Sequence, residues 1–164
     1  MIVVCDTSPI CYLILIRQID ILPKLFGEVY IPPAVRDELL AEGAFPEIRA
    51  WIVSPPVWLK IQPSSVPLLD LPAKLGAGEQ EAISLAHELR AVLIILDDLD
   101  ARQAAIACEL MVTGLLGVLY RAGIEGIIDF PQAIGQLKLT SFRASPQLLQ
   151  GFLEKYQQAK GKLK

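Results

Sequence analysis

Two short apolar runs, each closed by an aspartate, constrain this 164-residue chain more than any other feature. Ile2-Val3-Val4-Cys5 ends on Asp6, and Ala91-Val92-Leu93-Ile94-Ile95-Leu96 ends on Asp97. Short runs rich in β-branched residues read as strands buried on both faces, the situation of parallel strands packed between helices. In an open parallel sheet the carboxyl ends of the strands line the ligand crevice. A carboxylate placed there costs free energy unless it is paired, and a metal ion is a common partner.

Periodicity and turn residues predict the rest of the order. Strand 2–5 leads into helices from 9 to about 26, strand 29–31, and a helix over 33–42 opened by Pro32-Pro33. A helix near 46–52, a strand 57–61 and a loop over 62–77 follow, the loop marked by Pro63, Ser64, Ser65, Pro67, Pro72 and Gly76. Then come helix 79–90, strand 92–96, helix 99–109, strand 111–113 and helices 115–123, 130–138 and 146–160, the last with Ser145 as N-cap and Pro146 at its first position. Strands alternating with helices imply a doubly wound parallel sheet, and the length suits one domain over 1–164, with the helices of 130–160 packed on it.

Hydrophobic residues make up 53% of the chain, yet the longest apolar stretch, Pro9 to Ile16, stops at Arg17. A spanning helix needs about twenty such residues, so no membrane segment is expected. Met1 leads straight into a strand without a charged leader, and Cys5, Cys11 and Cys108 have no paired spacing. A cytoplasmic protein with buried, reduced thiols is therefore expected. The net charge of −3 opposes a simple basic nucleic-acid binder, although carboxylates gathered around metal would lower the count without removing a basic rim.

Further carboxylates fall on inward faces. In helix 33–42, Val35 and Leu39 mark the apolar stripe; Glu38 lies on it and Asp37 points away. In helix 79–90 the apolar residues are Ala82, Ile83, Leu85, Ala86 and Leu89. At roughly 100° per residue, Glu79 lies about 50° from the centre of that face and Glu81 more than about 100° away, toward solvent or the flank. Glu79 also sits in the first turn, where free N–H groups favour an anion. After Asp97, either Asp98 or Asp100 caps the next helix. Ser8-Pro9 forms a cap and first-turn pair, and the hydroxyl of Thr7 or Ser8 is within reach of a phosphate or a water. Asp6, Glu38, Glu79 and Asp97 thus come from four segments to one side of a sheet. Such an oxygen-rich set suits Mg²⁺ or Mn²⁺. The lone histidine, His87, reads as a surface residue, and no G-x-S-x-G or G-x-G-x-x-G motif is present.

The ordered motifs resemble the PIN domain family (PilT N-terminus), which includes VapC-type toxins and RNA-processing nucleases of prokaryotes. The resemblance is carried by apolar-Asp6-Thr-Ser-Pro, Ile31-Pro-Pro-Ala-Val-Arg-Asp-Glu38, Leu75-Gly-Ala-Gly-Glu79-Gln-Glu81-Ala-Ile-Ser-Leu-Ala, Ile95-Leu-Asp97-Asp98 and Val112-Thr-Gly-Leu-Leu-Gly-Val-Leu. It implies a three-layer α/β/α fold with a central parallel sheet of four to five strands. It also implies a metal-dependent ribonuclease whose four acids are Asp6, Glu38, Glu79 and Asp97. Asp6, Glu79 and Asp97 would ligate one or two Mg²⁺ or Mn²⁺ ions, with Glu38 supporting and Glu81 a competitor for the third place. Two departures stand out: the third acid is Glu where Asp is common, and Ile95 occupies a place where many relatives carry Thr or Ser.

Arg36, Lys74 and Arg102 are candidate phosphate clamps at the rim. The implied partners are RNA, single-stranded or structured, and an antitoxin if the chain is half of a toxin pair. The alternative is a weak or inactive PIN-fold domain that binds RNA or protein. A receiver-like domain would need a lysine late in the sheet, and none follows Asp97 until Lys138. The apolar surplus, with helix 9–16 as one apolar element, predicts a homodimer. Light scattering at micromolar concentration should report about twice 18.0 kDa; a monomeric mass would remove this reading.

Overall fold

The first apolar run forms strand β1 (Val3–Cys5), all of it buried. The computed structural model describes residues 1–65 and 70–162. Strands β2 (Val29–Ile31), β3 (Leu59–Ile61), β4 (Leu93–Ile95) and β5 (Val112–Thr113) join β1 in one sheet of order β3-β2-β1-β4-β5. Every pairing is parallel, with Cys5 opposite Ile95 and Val4 opposite Tyr30.

The pleat sends alternate side chains to opposite faces. Val3, Cys5, Val29, Ile31 and Ile95 enter the larger core, while Val4, Ile94 and Leu96 enter a smaller one. The larger core is closed by α1 (Thr7–Leu15), α2 (Ile21–Phe26), α3 (Pro33–Leu39), α4 (Pro46–Val53), α7 (Leu115–Ile124) and α8 (Phe130–Lys138). The smaller is closed by α5 (Ala77–Glu88) and α6 (Leu99–Ala107). The result is the three-layer α/β/α arrangement with a central parallel sheet of five strands that the sequence predicts. In this strand order the chain turns from one side of β1 to the other between β3 and β4. The crevice therefore opens where the carboxyl ends of β1 and β4 meet.

The elements match the sequence expectation to within a few residues, with one instructive shift. Helix α1 begins at Thr7, so Asp6, in extended conformation (φ −85°, ψ 174°), occupies the N-cap position expected of Ser8. The strand runs directly into the helix, and Pro9 falls in the first turn, where its missing N–H has no intrahelical bond to lose. Asp98 caps α6, accepting from Ala101 N–H at 3.0 Å, and Ser145 caps the last helix, α9 (Pro146–Lys162), accepting from Leu148 N–H at 3.1 Å.

The loop expected over 62–77 is irregular at 62–65 and 70–76, its 66–69 portion lying outside the described residues. The Ser64 hydroxyl and the Ser65 N–H both donate to the Glu88 carboxylate, at 2.9 and 2.8 Å. The apolar residues of α1 are taken up inside the chain: Ile10 and Leu13 are buried, and Cys11, Tyr12, Ile14 and Leu15 pack against the larger core. The exposed apolar side chains lie elsewhere, among them Val57, Leu99, Ile106 and Met111. Of the three cysteines only Cys5 is fully buried; Cys11 and Cys108 are half-buried, and all three are free. Among the described residues no helix is long and apolar enough to cross a membrane.

Helix α9 has no fully buried side chain and is held by rings instead. Phe130 lies 5.3 Å from Tyr156 and 5.8 Å from Tyr120, and Tyr120 lies 5.9 Å from Phe152, centroid to centroid. Gly123 in α7 permits this approach, because a Cβ there would stand 2.7 Å from Phe130 Cβ and 3.1 Å from the Tyr156 ring. Gly123→Ala should therefore destabilise the chain by about 1–3 kcal/mol in urea unfolding. Gly151→Ala in α9, where a Cβ meets nothing within 4 Å, should be neutral or stabilising by up to about 1 kcal/mol.

Candidate active site

Asp6 follows β1 directly and Asp97 follows β4 by two residues, so the adjacent strands bring both carboxylates to the crevice. The junction is tight: Asp6 N–H donates to Ile95 C=O at 3.0 Å, and Leu96 N–H to Thr113 C=O at 2.8 Å. Asp6 is 5% exposed. Asp97 accepts from Leu115 N–H, at the N-terminus of α7, at 2.9 Å through Oδ1. Its Oδ2 and the Oδ1 of Asp6 are buried without any hydrogen-bond partner. Buried oxygens in that condition are costly and mark a place where a cation or ligand would be stabilising.

The other two acids arrive on helices. Glu38 comes from the end of α3, where its carboxylate accepts from the Thr7 hydroxyl. It lies against Gly78, whose missing Cβ would stand 2.8 Å from the Glu38 carboxyl carbon. Glu79 is the third residue of α5 and reaches back to Gly76 N–H at 3.2 Å, a capping interaction that also aims it at the site mouth. A cleft of about 360 Å³ contains Asp6, Thr7, Ser8, Glu38 and Glu79 on one side and Tyr12 and Ser141 on the other.

The electrostatics follow from burial and crowding. Burial pushes Asp6 up to about 7; the Thr7 N–H lowers it, and Glu38, Glu79 and Asp97 raise it further. Burial also raises Asp97, against the Leu115 N–H and the Arg102 guanidinium, which lower it. Glu79 is raised by burial first, opposed by the Gly76 N–H, with Asp98, Glu38 and Asp100 adding to the rise. Burial, then Glu38 and Asp6, push the Cys11 thiol to about 11, and Cys5 is raised well above its usual range by burial and its aspartate neighbours. Both remain neutral thiols at pH 7 and are poor candidates for nucleophile or ligand.

The all-oxygen donors fit a hard divalent cation, and the two unpartnered aspartate oxygens are where the fit is sharpest. Among the described residues no three acidic, histidine or cysteine side chains form a closed cage as they stand. Asp6, Glu38 and Glu79 share one cleft and Asp97 lines the groove beside it, so the acids do not clasp a common point.

Several expectations are narrowed or corrected. Of the two orientations expected for Glu81, solvent or flank, it takes the flank: it is half-buried and accepts from Ala34 N–H, in the first turn of α3, at 3.2 Å. Helix α5 packs against β1 and β4 on one side and α3 on another, so it has two buried faces where the wheel shows one. Asp100 pairs with Lys74 at 3.2 Å and Asp37 with Arg36 at 3.1 Å, so both basic residues have exposed partners outside the cleft. Arg102 does face the site, beside Asp97: a Cβ at Gly114 would stand 2.6 Å from Asp97 Oδ1 and 2.7 Å from Arg102 Nη1. Gly114 and the contribution of Tyr12 and Ser141 are absent from the sequence expectation. The Val112-Thr-Gly motif was the available signal for Gly114; nothing local signals the other two. Ile95, at the place of the missing hydroxyl, is fully buried in the larger core.

The sequence pattern of DUF3368, described as a PIN domain, matches residues 2–158. The chain therefore belongs to this family of PIN domains, a fold whose members are generally nucleases using divalent metals. Among solved structures it is similar to a PilT N-terminus domain protein, SSO1118, from the hyperthermophilic archaeon Sulfolobus solfataricus P2. The TM-score is 0.55 at 19% identity, over 74% of this chain and 93% of that one; at this identity the likeness concerns the fold. No curated protein matches the sequence significantly.

The burial of Asp6 has a measurable consequence. Its folded value of about 7 exceeds the ordinary 3.8, so its contribution to stability is full below the ordinary value and is lost as pH rises through about 7. In metal-free protein, Asp6→Asn should be more stable than wild type at pH 8, by up to about 4 kcal/mol. The gap should close as pH falls toward 4. A constant gap across this range, followed by chemical denaturation, would exclude Asp6 titration as its source.

Proposed function

We propose that this chain is a divalent-metal-dependent ribonuclease that hydrolyses phosphodiester bonds in single-stranded RNA. The observation that carries the reading is the pair of buried, unpartnered oxygens, Asp6 Oδ1 and Asp97 Oδ2, at adjacent strand ends in a PIN domain. Asp6, Asp97 and Glu79 would hold a Mg²⁺ or Mn²⁺ ion, with Glu38 at the same mouth. When bound, the ion neutralises charge on the scissile phosphate and lowers the pKa of a water.

The chain's own groups supply the positioning. Leu115 N–H holds one oxygen of Asp97 in place, leaving the other for ligation. The Thr7 hydroxyl orients Glu38, and Gly76 N–H orients Glu79, whose extra methylene lets it reach out from the third position of α5. Arg102 beside Asp97 offers a cation to the substrate phosphate. Three carboxylates in one cleft, with Asp97 beside it, repel a polyanion, so the order of events is cation first and RNA second. The flank position of Glu81 defines its role: it ties α3, and with it Glu38, to α5.

The test is cleavage of single-stranded RNA at millimolar Mn²⁺. Glu79→Gln and Asp97→Asn should each lower the rate by about a hundredfold or more, in the range of losing an electrostatic group that acts on the transition state. Glu81→Gln should retain most of the rate and lower stability by about 1 kcal/mol, the scale of a lost helix cap. Wild-type protein that binds RNA yet leaves it intact would place the chain among non-catalytic PIN-fold binding domains. Equal losses for Glu79→Gln and Glu81→Gln would move the third acid.

A further inference from the structure

Charge is distributed very unevenly along this chain. From Phe130 onward lie six of its fifteen lysines and arginines and only one of its eighteen acidic residues. That basic segment returns to the site. Tyr12 in α1 lies within 3.0 Å of the Ser141 hydroxyl through its own hydroxyl, and its ring meets Phe142 edge-on at 5.2 Å. Phe142 N–H also donates to Thr140 Oγ1 at 3.2 Å. The connection between α8 and α9 is thereby pinned as a wall beside the acidic cleft. On its far side is a second groove of about 470 Å³.

Asp97 lines this groove, while Asp6, whose carboxyl it influences, lines the acidic cleft. Arg102 and Arg143 line the groove together with an apolar floor and sides that include Leu116, Phe142, Leu148 and Phe152. Among the described residues, Arg143 makes no ion pair, and Arg102 leans on Asp97 without a close one. The volume falls in the range of small-molecule sites, about 300–1,000 Å³. An apolar recess with ring faces, rimmed by two cations and opening onto an acidic site, is complementary to one kind of occupant. A nucleotide has an apolar, stackable base at one end and a phosphate at the other.

We infer that this groove seats one unpaired nucleotide of the substrate RNA, its base against Phe142, Leu148 and Phe152 and its phosphate between Arg102 and Arg143. The inference rests on the ribonuclease reading and adds to it a direction. The strand leaves the acidic cleft past Asp97 and runs toward the basic C-terminal helices. A base paired in a duplex cannot enter the recess, so the groove selects single-stranded RNA.

The experiment measures binding of a short fluorescent oligouridylate to the 164-residue Asp6→Asn chain by anisotropy, beside cleavage by the wild-type chain. Arg143 and Leu148 are exposed, so substitutions there leave the core intact. Leu148→Glu should weaken binding by about tenfold, the scale of a lost stacking or apolar base contact. Arg143→Gln should weaken it and reduce the slope of log affinity against log salt by about 0.7, one phosphate contact to a single strand. Arg90→Gln, where β4 enters the sheet at its opposite end, should change affinity by less than about twofold.

If Leu148→Glu and Arg143→Gln both bind like the Asp6→Asn parent while wild type still cuts RNA, the groove is not a nucleotide seat and the nuclease reading stands. If wild type neither binds nor cuts RNA, the nuclease reading falls and the groove assignment falls with it. A halving of solution mass on Leu148→Glu would identify the groove as a subunit interface instead.

Discussion

Everything at the site depends on two carboxylates, each with one buried oxygen, being carried into a crevice by the strands that make the sheet. Parallel pairing of β1 with β4 sets Cys5 opposite Ile95, and the bond from Asp6 N–H to Ile95 C=O extends that ladder to the edge where Asp6 and Asp97 stand. Asp6 therefore cannot retreat into solvent without breaking sheet. Its neighbour Asp97 is held just as firmly through Leu115 N–H. The fold thus stabilises an arrangement that the isolated charges oppose, and a cation bound there would remove the opposition.

Around that pair the spacing is set by absent side chains. Gly78 lets the Glu38 carboxylate lie against the start of α5, and Gly114 lets Asp97 and Arg102 lie against the start of α7. Each glycine serves close approach rather than an unusual backbone angle. Between the two helices that carry Glu38 and Glu79, Glu81 reaches across to an otherwise unpaired amide of α3. Its bond braces the two helices that bring Glu38 and Glu79 to one cleft.

The two grooves adjoin at Ser141 and Phe142, one lined by each, and different parts of the chain build their outer walls. Tyr12 belongs to the first helix, and Ser141 and Phe142 lie between the last two. The C-terminal helices are therefore part of the site's surroundings, and the ring stack of Tyr120, Phe130, Phe152 and Tyr156 is what keeps them there. This couples the packing of α9, which buries no side chain fully, to the shape of the groove beside the acids.

Local chemistry was enough to read the strands, because β-branched runs ending in Asp6 and Asp97 suit only buried parallel edges. It was also enough for most helices, since Ser145-Pro146 and the carboxylates after β4 are caps by composition. Which aspartate capped α6 was settled by geometry, in favour of Asp98. Asp6, Glu38, Glu79 and Asp97 stood out singly by position on a strand end or a helix face. Their mutual placement did not, because it depends on strand order, and strand order follows from how helices cover both faces of the sheet. The choice between solvent and flank for Glu81 stays open on a helical wheel for a related reason: the wheel assumes one buried face, and α5 has two. Arg36 and Lys74 found nearby acids because long flexible side chains choose among neighbours that only folding supplies. Arg143 carries no local signal at all; it reaches the site because α8 and α9 fold back across residues more than a hundred positions away.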